Sequence, residues 1–79
     1  MEKIISILAE TFRVNESKIT LEIGMEDIDS WDSLTHMEMI ANLESEFDFE
    51  FTTDEIMKMI TVKDVVNVVE EKLKNANSW

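Results

Sequence analysis

The sequence contains no cysteine, no proline and a single glycine. Without cysteine, the chain has no disulfide bonds, no thiolate metal ligands and no cysteine nucleophile. Without proline, its helices can run uninterrupted. Residues 1–13 alternate between apolar and charged residues and lack the continuous apolar segment of a signal peptide, and no stretch has the length and apolar character of a membrane span. We therefore expect a cytoplasmic protein that does not insert into membranes.

Lysine and arginine are also scarce: 7 basic residues stand against 18 acidic ones, and the formal net charge is −11. From Ile19 to Met57 there is no basic residue, and 12 of the acidic residues lie in that stretch. The excess negative charge repels phosphate backbones, so we expect no nucleic-acid binding. It favours rapid association with proteins that carry basic surfaces.

Apolar residues make up 44% of the chain, which is enough to form a hydrophobic core. The length of 79 residues fits one small domain. We expect a monomeric domain over residues 1–79, with a core at about 3–74 and a flexible tail at 75–79.

Apolar residues at helical spacing predict a first helix over residues 2–13. Residues 14–32 hold the one glycine and an acidic cluster, and they predict a long loop held in place by isoleucine and leucine side chains. A second helix is expected to begin at Asp32 or Ser33, with Asp32 as its N-cap, and to end near Phe47.

Two capping-box patterns mark the remaining helices. The pattern Thr52–Glu55 opens a short helix that extends to Met59, and the pattern Thr61–Asp64 opens a longer helix with valines along one stripe. The sequence therefore predicts an all-α fold, a four-helix bundle with three longer helices, one short helix and a long first loop.

The second helix carries apolar residues on two opposite faces. The face expected to point into the core holds His36, Met39, Ile40, Leu43 and Phe47. The opposite face holds an apolar strip, which consists of Leu34, Met37 and Ala41, and an acidic rim that includes Glu38 and Glu44. Because a helix of a minimal bundle buries only one broad face, we predict that the apolar strip is exposed and binds a partner. The alternative is that the strip packs under the long loop.

Ser33 lies at the start of this helix, beside Asp32. A nucleophilic serine needs a base within hydrogen-bond reach and an oxyanion hole, and the sequence indicates no orienting acid or pocket for its only histidine, His36. Catalysis by Ser33 is therefore not expected. Ser33 either helps to satisfy the free backbone N–H groups of the first turn or carries a phosphate ester at the positive end of the helix dipole.

The acidic loop matches a calcium-binding loop poorly. An EF-hand counted from Asp27 would place Asp29 and Glu38 at ligand positions. It would also place Trp31 at a ligand position, and Asp32 where glycine is required. We therefore predict no specific metal site, and a calcium-responsive protein that uses Asp27, Asp29 and Glu38 remains one alternative.

The tripeptide Asp32-Ser33-Leu34 opens an acidic helix, and a short helix and a valine-rich helix follow it. Together with the length, the acidity and the long first loop, this order resembles the acyl carrier protein family from about residue 3 to residue 74. The resemblance implies a carrier and not an enzyme, with 4′-phosphopantetheine on Ser33 and Asp32 as the motif neighbour. A phosphopantetheinyl transferase would attach this arm from coenzyme A, using magnesium. The arm would hold acyl or aminoacyl groups as thioesters for fatty-acid, polyketide or related biosynthesis.

The resemblance also implies where partner enzymes bind. The residues that match the partner-recognition helix of the family are Leu34, Met37, Glu38, Ala41 and Glu44. Loading and transfer enzymes for acyl or aminoacyl groups would dock there through basic surfaces. The segment SWDSLTH is more similar to specialised carriers of polyketide, lipid-modification, sugar-acylation or aminoacyl pathways than to the housekeeping fatty-acid carrier. Thr35 and Ser45 also depart from the residues usual in the fatty-acid carriers.

Three further alternatives remain open. An unmodified interaction domain of the same fold would bind a basic partner protein through the apolar strip. The methionine-rich composition would either let the bundle part around an acyl chain or fill gaps in the core. Trp31 would either contact the arm or an incoming enzyme, or lie buried under the loop.

Overall fold

The computed structural model describes residues 2–76, and their side chains as far as Lys74. This part of the chain forms four helices and one short 3-10 turn. The helices are α1, Glu2–Phe12; α2, Ser33–Phe47; α3, Thr53–Lys58; and α4, Val62–Ala76. The 3-10 turn lies in the long loop between α1 and α2. The predicted all-α class, with three longer helices, one short helix and a long first loop, is confirmed. No helix within these residues has the length and apolar composition needed to cross a bilayer.

The predicted bounds of α2 are confirmed, and the ends of α1, α3 and α4 differ from the predicted ones by one or two residues. α1 ends at Phe12 because Arg13 adopts a left-handed conformation with φ 59°, and the Val14 N–H donates to the Ala9 carbonyl at 3.0 Å. α4 extends through Ala76, so it overlaps the predicted tail at 75–79 by two residues. Residues 77–79 of that tail lie outside the described residues.

One hydrophobic core lies between the helices, and the fully buried side chains among the described residues are all apolar. The core face of α2 is confirmed, with Met39, Ile40 and Leu43 buried and His36 and Phe47 half-buried. The valine stripe of α4 is also confirmed, since it buries Val62, Val65, Val66 and Val69. The two faces meet side chains from α1 and the loop, among them Ile4, Leu8 and Phe12.

The long loop packs against the start of α4. Its predicted anchors are buried or half-buried: Ile19, Leu21, Ile23 and Ile28. The Ile23 carbonyl accepts from the Val62 N–H at 2.8 Å, and the Leu21 carbonyl accepts from the Lys63 N–H at 3.1 Å. These N–H groups belong to the first turn of α4, where the helix itself supplies no partner. The loop therefore completes the N-terminus of α4.

Gly24 lies where the loop passes closest to α4. It pairs with Thr61 in an isolated antiparallel bridge, and the neighbouring Met25 N–H donates to the Ile60 carbonyl at 3.0 Å. A β-carbon at residue 24 would lie 2.9 Å from the Ile60 carbonyl oxygen and 3.2 Å from the Thr61 methyl carbon. The close approach of the two backbones therefore requires glycine.

Lys72 of α4 forms an ion pair with the short helix α3. Its Nζ lies 2.8 Å from Glu55 Oε1, and it also lies 5.7 Å and 5.8 Å from the ring centroids of Phe49 and Phe51. The hydrogen bond from Lys72, followed by the cap hydrogen bond from the Thr52 N–H, lowers the pKa of Glu55 below its ordinary value of 4.5. A helix of six residues is not stable alone, so contacts of this kind hold α3 in place.

Gly24→Ala should lower the free energy of unfolding by about 1–3 kcal/mol, because backbone atoms must move apart to admit the methyl group. Urea unfolding followed by circular dichroism measures this difference. The control is Asn15→Ala, at an exposed position whose side chain makes no cap hydrogen bond. Equal stability of the wild type and Gly24→Ala would contradict the close approach.

Candidate functional site

Ser33 is the first residue of α2 and is exposed to solvent. The residue before it, Asp32, has an extended backbone, with φ −117° and ψ −171°, and forms the N-cap of the helix. Ser33 therefore lies at the turn where the long loop becomes a helix, and its hydroxyl is accessible to a partner.

A reciprocal capping box fixes the backbone on both sides of Ser33. Asp32 Oδ1 accepts from the Thr35 N–H at 3.0 Å, and Thr35 Oγ1 accepts from the Asp32 N–H at 2.9 Å. The hydrogen bond from the Thr35 N–H is the main cause that lowers the pKa of Asp32 below its ordinary value of 3.8. The predicted N-cap role of Asp32 is confirmed. Sequence reasoning missed the role of Thr35, which the D-x-x-T spacing could have indicated.

Trp31 is buried under the loop, as one of its two interpretations expected. Its side chain is 2% exposed, and its ring stacks on that of Phe12 with the centroids 4.7 Å apart. Its indole Nε1–H donates to His36 Nδ1 at 3.0 Å. Trp31 therefore joins the end of α1 to the first turn of α2, immediately before the exposed serine.

His36 links α2 to α3. Because its Nδ1 accepts from Trp31, the neutral ring carries its proton on Nε2, which donates to the Ile56 carbonyl at 2.9 Å. The last carbonyl groups of a helix have no hydrogen-bond donor within the helix. His36 supplies a donor to one of the last carbonyl groups of α3, that of Ile56. Both ring nitrogens are engaged, and His36 is therefore not a base for Ser33.

The apolar strip of α2 is exposed, as predicted. Leu34 is 72% exposed and Met37 is 52% exposed, and Ala41 also faces solvent. The alternative in which the strip packs under the long loop is therefore wrong. Glu38, at the rim of the strip, is exposed as well.

Glu44 differs from the other residues assigned to the partner-recognition helix. It is half-buried, and its Oε2 accepts from the Phe51 N–H at 2.9 Å. This hydrogen bond holds the segment that follows α2. Helical spacing did not predict this structural contact, because Glu44 lies in α2 and Phe51 lies beyond the end of that helix.

Two further exposed apolar side chains lie at the neighbouring helix α3. Met57 is 71% exposed, and Ile60, two residues beyond the helix, is 52% exposed. The hydrogen bond between His36 and Ile56 brings α3 beside the first turn of α2. Sequence reasoning did not assign Met57 to a surface. A signal was present, because a six-residue helix with several apolar residues in succession can bury only some of them.

The acidic loop uses part of its charge internally. Asp27 Oδ2 accepts from the Gly24 N–H at 3.0 Å. Among the residues that the structure describes, no group of three or more histidine, aspartate or glutamate side chains is arranged to hold a metal ion.

Comparison with known proteins assigns the family. The family model for the phosphopantetheine attachment site matches residues 2–69. The acyl carrier protein of Coprothermobacter proteolyticus is 35% identical over 68 residues, which cover 86% of this chain and 83% of that protein. The chain belongs to the acyl carrier protein family. The solution NMR structure of a holo acyl carrier protein from Geobacter metallireducens matches the fold with a TM-score of 0.85 and 32% identity, and the match covers 95% of this chain and 86% of the other.

The family that the DSL motif and the helix order predicted is thus confirmed. An acyl carrier protein carries its cargo on a covalently attached 4′-phosphopantetheine, and this function and this cofactor apply to the chain. The alternative of an unmodified interaction domain is not favoured.

In this acyl carrier protein, the hydrogen bond between Trp31 and His36 should contribute measurably to stability. Trp31→Phe keeps an aromatic ring but removes the donor and part of the buried ring, and we expect a loss of about 1–3 kcal/mol. His36→Ala leaves the Trp31 N–H and the Ile56 carbonyl without their partner, and we expect a loss of about 1–3 kcal/mol. Urea unfolding of both variants, the double variant and the exposed control Asn67→Ala measures these losses.

The double variant tests whether the two side chains interact. Both substitutions remove the same hydrogen bond, so the double variant should lose less stability than the sum of the losses of the two single variants. Strictly additive losses would contradict the link between the two rings.

Proposed function

We propose that the 4′-phosphopantetheine arm of this carrier is attached to the hydroxyl of Ser33. The observation that carries the proposal is the exposed serine of the DSL motif, located at the N-terminus of α2 between the two residues that cap the helix. A phosphopantetheinyl transferase supplies the arm from coenzyme A with magnesium. Ser33 Oγ bonds to the phosphorus that bears pantetheine, the pyrophosphate bond breaks, adenosine 3′,5′-bisphosphate leaves, and the hydroxyl proton passes to a base of the transferase.

The N-terminus of α2 suits the phosphate diester that this reaction forms. α2 has 15 residues, and its first N–H groups and its dipole favour negative charge at this end. Asp32 is an anion at the same place, but its carboxylate accepts the hydrogen bond of the Thr35 N–H. The site is exposed, so water and salt screen the repulsion between the two anions.

The thiol at the end of the arm holds an acyl or aminoacyl group as a thioester and presents it to enzymes of fatty-acid, polyketide or related biosynthesis. The carrier itself catalyses no step of that chemistry; the engagement of its only histidine by Trp31 and Ile56 supports this proposal. It acts as a monomer in the cytoplasm.

Partner enzymes, among them the transferase and the loading and transfer enzymes, dock on the apolar strip of α2, with Glu38 and Glu44 at its rim. The exposure of the strip supports this surface, and Met57 extends it onto α3. Because no lysine or arginine lies between residues 19 and 57, the surface attracts enzymes with basic residues around an apolar contact.

The full chain, incubated with coenzyme A, magnesium and a phosphopantetheinyl transferase, should gain the mass of one phosphopantetheine. Ser33→Ala should gain none, because it lacks the accepting oxygen. Ser45→Ala, which removes an exposed hydroxyl elsewhere on α2, is the matched control and should be modified like the wild type. Intact-mass spectrometry measures all three. Modification of Ser33→Ala, or a folded wild type that no transferase modifies, would contradict the proposed attachment site.

Met37→Glu should raise the KM of the transferase for the carrier by about tenfold with little change in kcat, because it places a charge within the apolar contact. Asn67→Glu is the control, because Asn67 is exposed on α4, which does not belong to the proposed surface. Steady-state kinetics of arm transfer separate the two variants. Equal KM values for Met37→Glu and Asn67→Glu would rule out docking through the strip.

A further inference from the structure

The Thr35 hydroxyl makes more contacts than a helix cap needs. It accepts from the Asp32 N–H at 2.9 Å, and it also donates to the Ser30 carbonyl. Ser30 in turn donates through its own hydroxyl to the Phe12 carbonyl at the end of α1, at 2.6 Å. Ser30 therefore connects α1, through its hydroxyl, to Thr35, through its carbonyl, and Thr35 in turn holds the backbone of Asp32, the residue before Ser33.

At the other two capping boxes among the described residues, the third residue of the helix also has a further partner, but it only accepts: Glu55 accepts from Lys72 Nζ, and Asp64 accepts from the Ile60 N–H. At α3, the Thr52 N–H donates to Glu55 Oε1 at 2.8 Å, and at α4, the Thr61 N–H donates to Asp64 Oδ2 at 3.1 Å. In both, the third residue of the helix contributes a carboxylate, which accepts hydrogen bonds but donates none when it is ionised. At α2 the chemistry is reversed, with the carboxylate at the N-cap and a hydroxyl at the third position.

The reversal has a specific consequence. A hydroxyl can accept one hydrogen bond and donate another, so the third residue of α2 can complete the cap and also hold the loop through the Ser30 carbonyl. An ionised carboxylate in its place could accept from the Asp32 N–H but could not donate to the Ser30 carbonyl. The backbone before Ser33 is thus held from two sides.

We propose that Thr35 is a positioning residue for the modification of Ser33: its hydroxyl fixes residues 30–32 so that the serine is presented to the transferase in one backbone geometry. This inference rests on the proposed attachment at Ser33. Group transfer is fast only when the reacting oxygen is held close to the attack geometry. Thr35 does not belong to the apolar strip and is only half-exposed, so it acts on the orientation of the bound serine and not on docking.

The test compares variants of the full chain in the transferase reaction, with coenzyme A, magnesium and the site of modification mapped by peptide mass. Thr35→Val keeps the side-chain shape and removes the hydroxyl; it should lower kcat about tenfold and leave KM within about twofold. Thr35→Ser restores the hydroxyl and should restore kcat to within about threefold of the wild type.

Thr61→Val is the matched control, because it removes the cap hydroxyl of α4, which accepts from the Asp64 N–H at 3.1 Å, away from the serine. It should lower the melting temperature as Thr35→Val does and leave kcat unchanged. A wild-type kcat for Thr35→Val would overturn the inference. An equal fall in kcat for Thr61→Val would also overturn it, since general loss of stability would then be sufficient.

A measurement on the wild type keeps the inference testable if Thr35→Val does not fold. The Asp32 amide should exchange with solvent at least about tenfold more slowly than an unstructured amide, because Thr35 accepts its hydrogen bond. An unprotected Asp32 amide would overturn the positioning role. Failure of the attachment site itself is a separate outcome, since it appears in the wild type as absent modification of Ser33.

Discussion

The free backbone N–H groups at the N-terminus of α2 set the constraint on which the turn around Ser33, residues 31–36, depends. The helix needs partners for these groups, and the attachment that we propose at Ser33 needs an accessible hydroxyl at the same place. The two tasks fall to different residues. Asp32 and Thr35 complete the helix end, and Ser33 lies exposed between them. The side chains that stabilise the turn are therefore not the side chain that we propose to be modified.

Trp31 and His36 connect this turn to the rest of the fold. Trp31 stacks on Phe12 of α1, and His36 donates to the Ile56 carbonyl of α3. α3 has only six residues, so its position depends on such contacts and on the ion pair with Lys72 at its other side. The exposed apolar surface of α2 and α3 consequently has a defined geometry, which would lower the entropic cost of the docking that we propose.

Local patterns were sufficient to predict the helices, because caps and helical spacing act between residues at most a few positions apart. The same spacing predicted the exposed strip, and the DSL motif predicted the serine and its family. The contacts between elements could not be predicted. His36 reaches Ile56 across 20 positions, and Gly24 lies against Ile60 only because the loop folds back on α4. Such contacts depend on how the helices pack and on side-chain rotamers, and neither is encoded in a local pattern.

Residues 31–36 should form a rigid turn before the arm is attached, and backbone nitrogen-15 relaxation of the unmodified protein tests this most directly. We predict backbone order parameters of about 0.85 for Asp32 and Ser33, equal to those in the middle of α2. Values below about 0.6 at these two residues, with a rigid α2 beyond them, would show a flexible attachment turn and would contradict the role assigned to the surrounding hydrogen bonds.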